Sequence, residues 1–115
     1  MRGRLTRSFS TISSPSSKSH YNISSEARDR AIAGLSMGGL QAMGAGIGHL
    51  RYFSWICAFS PVPLSVLGEE FDNALKQSSK INEQLHLFEI VTGDNDLLTG
   101  PATKQLENQL RALNI

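Results

Sequence analysis

The sequence predicts an α/β fold in which about three parallel strands alternate with helices. Three observations predict it. Short apolar runs of strand length occur at 30–35, 52–59 and 85–92. A stretch with helical patterning follows each of them. Glycine, proline and serine mark the junctions. An alternation of strand and helix calls for a parallel sheet with helices on its faces.

The first twenty-five residues stand apart. They are rich in serine, carry Arg2, Arg4, Arg7 and Lys18, and contain no acid before Glu26. That composition resembles an organellar transit segment, but no amphipathic face runs through the serines. Residues 1–20 are therefore expected to be a disordered tail outside the fold, and residues 21–115 the folded part.

The first strand is expected over Arg30–Leu35, turning at once into a helix from about Gly38 to Ile47. Tyr52–Phe59 is aromatic and apolar throughout, like a strand buried on both faces. Pro61 and Pro63 end it. A loop at 62–68 leads to a modest helix with Phe71, Ala74, Leu75 and Ser78 on one face and Glu69 and Glu70 in its first turn. Leu85–Thr92 is the third strand. After the polar loop Gly93–Gly100, Pro101 is placed to open a helix whose Leu106, Leu110 and Leu113 form an apolar stripe.

Composition narrows the function classes. The formal net charge of +1 gives no reason to expect a nucleic-acid partner. No apolar stretch approaches the roughly 20 residues needed to cross a bilayer. The single cysteine, Cys57, excludes an internal disulfide, and its apolar neighbours predict a buried, inert thiol. No metal or organic cofactor is expected. Gly44, Gly46 and Gly48 follow a helix rather than a strand, so close helix-to-sheet packing suits them better than a nucleotide loop.

The strongest chemical signal is Gly34-Leu35-Ser36-Met37-Gly38, a G-x-S-x-G pattern at the strand-to-helix junction. A serine on so sharp a turn is held in a strained conformation with its hydroxyl pushed outward. Glycine two residues to either side avoids collision across the turn. The helix starting after Ser36 directs free N–H groups at the same spot, and the Met37 N–H is the expected oxyanion donor. A serine hydroxyl needs a base, usually a histidine oriented by a carboxylate. Asp96 and its neighbour Asp94 both follow the third strand and both suit the acid, while Gly-Asp-Asn-Asp is equally an ordinary turn composition. The histidines do not suit the base. His49 ends the helix that begins at Ser36, about 20 Å away. His86 opens the third strand and His20 precedes the first, each at the opposite edge of the sheet.

The run RAIAGLSMGGLQAMGAGIGHLRYFSWICAFSP resembles a family of esterases that includes esterase D, feruloyl esterases and enterochelin-esterase-like enzymes. The shared features are the Arg-Ala-Ile-Ala-Gly-Leu-Ser-Met-Gly-Gly turn, an aromatic strand closing with Ser-Pro, and a later strand ending in Gly-x-x-Asp. The resemblance spans about Tyr21–Ile115 and implies part of an α/β-hydrolase fold. It assigns Ser36 as nucleophile and favours Asp96 as acid. It implies hydrolysis of a carboxylic ester through an acyl-enzyme, with phenolic or acylated-sugar esters as the substrate class.

The family's histidine lies in a Gly-Gly-His-like segment one strand later, about thirty residues beyond the acid, whereas this chain ends at Ile115. The strands that precede the serine turn in the family, with the second oxyanion donor, are replaced by the serine-rich segment. A fragment with two of three triad members is therefore expected, inactive or very weak alone, and prone to self-associate through unpaired sheet edges. A non-catalytic truncated product or binding remnant is the alternative, and an enzyme completed by a piece from elsewhere is a third reading.

Overall fold

The three apolar runs pair as one parallel sheet. In the computed structural model of the chain, which describes residues 23–63 and 67–115, β1 (Ala31–Leu35), β2 (Trp55–Phe59) and β3 (Leu87–Val91) lie in the order β1-β2-β3. The expected tail at 1–20, with His20, lies outside the described residues, as does part of the 62–68 loop. A 3₁₀ turn at Ala27–Asp29 precedes β1. The helices are α1 (Met37–Gly48), α2 (Gly68–Leu75), α3 (Ser78–Gln84) and α4 (Gly100–Ala112).

The strands are shorter than their apolar runs. Tyr52 and Ser54 are drawn into the approach to β2, where the Ser54 N–H donates to the carbonyls of Ala27 and Arg30. Leu85 and His86 are held likewise, the His86 and Leu87 N–H groups both donating to the Ser54 carbonyl. The single helix expected around residues 71–78 is two, because the chain breaks at Lys76 and Gln77; Phe71 and Leu75 are buried from α2, and Ile81 from α3. Pro101 sits in the first turn of α4, which buries Leu106 and Leu110, while Leu113 caps the helix beside the core.

The register explains where the core lies. Alternate residues of a strand point to opposite faces. Ile32, Ile56 and Phe88 form one row across the sheet, and Gly34, Ala58 and Ile90 form the next. Ile56 and Ala58 are fully buried there, under Leu40, Met43 and Ile47 of α1 and the buried leucines of α2 and α4. Gly46 lets α1 approach closely, since a Cβ there would stand 2.5 Å from Ile56 Cδ1 and 3.2 Å from Ile32 Cγ2.

The opposite face is left partly exposed by the described residues, which corrects the expectation of two-sided burial for β2. Its rows are Ala31-Trp55-Leu87, Ala33-Cys57-Glu89 and Leu35-Phe59-Val91. Leu35 is 69% exposed, and Trp55, Phe59, Leu87 and Val91 about 40% each. The reason is topological. Both crossovers step across the sheet in the same direction, and right-handed crossovers then deliver every connecting helix to one face. Cys57 belongs to this open face and is half-buried rather than buried. Burial and the neighbouring Glu89 carboxylate, 3.9 Å from its Sγ, push the thiol pKa up, so it stays protonated at neutral pH.

Candidate active site

Because the strands are parallel, the loops that follow them gather at one edge of the sheet. Leu35, Phe59 and Val91 are the aligned last residues of the three strands. Ser36, Ser60 and the loop carrying Asp96 therefore stand at the same edge.

Ser36 lies between β1 and α1 with φ 57° and ψ −117°, a combination that a residue with a side chain rarely adopts. Its N–H donates to the Phe59 carbonyl at 2.9 Å, extending the sheet by one bond. Its own carbonyl accepts from the Leu40 N–H at 3.2 Å and the Val62 N–H at 3.4 Å. The turn is thus secured on three sides. Met37 is the first helical residue, so its N–H has no intrahelical acceptor and lies at the positive end of the helix dipole.

The two glycines of the motif are not equivalent, which refines the expectation that both avoid collision. A Cβ at Gly34 would overlap the carbonyl of Gly38 and stand 2.8 Å from the Gly39 N. A Cβ at Gly38 would meet nothing within 4 Å. The close approach is needed on the strand side only.

Asp96 closes the turn after β3. Its Oδ1 accepts the Leu98 N–H at 3.1 Å and the Thr99 N–H at 2.8 Å. Its Oδ2 accepts the Thr99 hydroxyl. The Thr99 hydroxyl and then its N–H lower the pKa most, burial opposes them, and the Leu98 N–H adds a smaller lowering. Asp96 is therefore a carboxylate at neutral pH, the form that orients a histidine. Leu97 and Leu98, 92% and 85% exposed, project beside it.

The described histidines lie elsewhere. His49 caps the far end of α1, a twelve-residue helix about 18 Å long, and burial followed by Arg51 lowers its pKa. His86 precedes β3 at the opposite edge and stacks on Trp55, with ring centroids 5.3 Å apart. Neither reaches Ser36 or Asp96. Among the described residues no group of three or more His, Cys, Asp and Glu side chains is placed to hold a metal ion. No described helix is long and apolar enough to cross a membrane.

Sequence reasoning assigned no role to Ser60 or Thr99. Thr99 was findable, because an aspartate in a turn commonly accepts the N–H groups two and three residues on, as Asp96 does from Leu98 and Thr99. Ser60 was not, since only the pairing of β2 with β3 brings its N–H to the Val91 carbonyl, at the start of the loop that carries Asp96. Residues 14–97, most of the chain, match the sequence model of a family described as "Putative esterase".

Proposed function

From the membership of this chain in the Putative esterase family, we propose that it carries the nucleophile and the acid of a serine carboxylesterase. Ser36 attacks the ester carbonyl, the Met37 N–H donates to the developing oxyanion, and the alcohol leaves to give an acyl-enzyme that water hydrolyses. Asp96 is the acid that orients the base. The observation that carries this reading is the strained Ser36 turn, secured to β2 and sharing its sheet edge with the Asp96 carboxylate. Strained conformations persist where the surroundings hold them, and they cluster at reacting groups. Phenolic or acylated-sugar esters are the proposed substrates, on family resemblance alone.

The base is the weak point of the site. With neither described histidine at this edge, turnover by the chain alone is expected to be very weak. Enzymes lacking triad members retain about 10³–10⁴-fold acceleration over water. The alternative reading, a non-catalytic remnant, draws on the same observation. A p-nitrophenyl acetate assay of the chain and of Ser36→Ala tests the proposal. Slow hydrolysis that Ser36→Ala removes is the expected result. Rates typical of complete enzymes would show that a base is present after all, and identical rates for both proteins would exclude Ser36 as nucleophile.

A further inference from the structure

We propose that Thr99 is the positioning residue of this site, gripping the Asp96 carboxylate by both oxygens and tying it to the end of β3; the inference rests on the reading of Asp96 as the acid. The Thr99 N–H donates to Oδ1 at 2.8 Å, and the Thr99 hydroxyl donates to Oδ2. Two donors from one residue, each on its own oxygen, fix the plane of the carboxylate as well as its place. Among the described residues no cation pairs with Asp96, so neutral donors hold its charge.

The use Thr99 makes of its hydroxyl sets it apart from ordinary turn chemistry. Thr99 is the N-cap of α4, where a threonine hydroxyl ordinarily accepts an N–H from the first turn of its helix. It makes no such bond. The hydroxyl is turned to Asp96 instead, and the residue is buried, only 4% exposed. The same hydroxyl meets that of Thr92 at 3.3 Å. A hydroxyl has one hydrogen, and an ionised carboxylate can only accept. The Thr99 hydrogen is therefore committed to Asp96, and Thr92 is the donor of the second bond. A directed chain results, from Thr92 through Thr99 to the carboxylate, in which each bond polarises the next. Thr92 directly follows Val91, the last residue of β3, which pairs with Phe59 of β2. The Phe59 carbonyl in turn accepts the Ser36 N–H at 2.9 Å. The chain thus joins the carboxylate to the strand ends that hold the serine turn, as a supporting shell must to keep acid and nucleophile in register.

The test is the carboxyl titration of Asp96, followed by ¹³C NMR on the full chain and assigned with Asp96→Asn. Thr99→Val keeps the shape of the side chain without its hydroxyl. Because that hydroxyl caps nothing, the variant should fold with its helix content unchanged. Losing one donor to an ionised carboxylate is expected to raise the midpoint by about half a unit to one unit. Thr99→Ser keeps a hydroxyl and should keep the low midpoint. Thr92→Val removes only the far donor and should raise the midpoint by less. A Thr99→Val midpoint equal to that of the unaltered chain would overturn the proposal, as would a Ser variant that titrates like Val. No change in Thr92→Val would overturn the link to β3. Thr99→Ala removes the same hydroxyl with less bulk and carries the test should Val not fold. The midpoint reads the grip on Asp96 whatever Asp96 does to esters. Its failure is therefore distinct from failure of the p-nitrophenyl acetate assay with Ser36→Ala.

Discussion

Replacing Gly34 by alanine is expected to unfold the site, while the same replacement at Gly38 leaves the protein as stable or more so. Gly34 lies on the covered face of β1, where the first turn of α1 crosses it. The added methyl would overlap the Gly38 carbonyl and press on the Gly39 N. These are backbone atoms and have no rotamer to escape into. Overpacking that side chains can absorb costs about 1–3 kcal/mol, so a backbone collision is expected to exceed about 3 kcal/mol. That is a large part of the roughly 5–15 kcal/mol stabilising an ordinary domain. Gly38 is helical and has open space around it. Alanine there gains roughly 0.5–1 kcal/mol of helix propensity. Urea unfolding followed by the fluorescence of Trp55, the single tryptophan, measures both. Equal midpoints for the two variants would contradict the close approach on which the Ser36 turn depends.

The chain on its own is expected to self-associate. Parallel sheets are stable when both faces are covered, and here one face presents Leu35, Trp55, Phe59, Leu87 and Val91 to solvent. Glu89 is the one charge among its nine residues. Among the described residues, β1 and β3 are the edge strands of the three-stranded sheet, each with a row of backbone groups that no other described strand pairs. Leu97 and Leu98 add apolar surface at one end. Stacking of faces or pairing of edges between copies would relieve these exposures. Size-exclusion chromatography with light scattering should therefore find dimers or larger species at micromolar concentration. A monodisperse monomer that unfolds cooperatively would show that the exposed surface is tolerated.

The parts of this fold legible in the sequence were those written in local pattern. Apolar runs bounded by Gly, Pro and Ser identified all three strands, and the glycine-flanked serine identified the turn after the first. Pro101 and the leucines at 106 and 110 identified the last helix. What escaped depends on partners distant in sequence. Strand ends moved inward because Ser54 turned its backbone bonds to Ala27, Arg30 and His86. YFSWICAF reads as buried on both faces, yet the order β1-β2-β3 leaves Trp55, Cys57 and Phe59 on an uncovered side. Nothing local marks Ser60, and only the pairing of β2 with β3 brings its N–H to the Val91 carbonyl.

The central claim is that Ser36 is an acyl-accepting nucleophile. Incubation with p-nitrophenyl acetate, acid quenching and peptide mapping by mass spectrometry tests it most directly, because acylation is read at the residue and does not require rapid turnover. The predicted result is an acetyl group on the peptide containing Ser36, assigned to that hydroxyl and lost in Ser36→Ala. Acetylation spread evenly over other serines, with Ser36 unmodified, would contradict it.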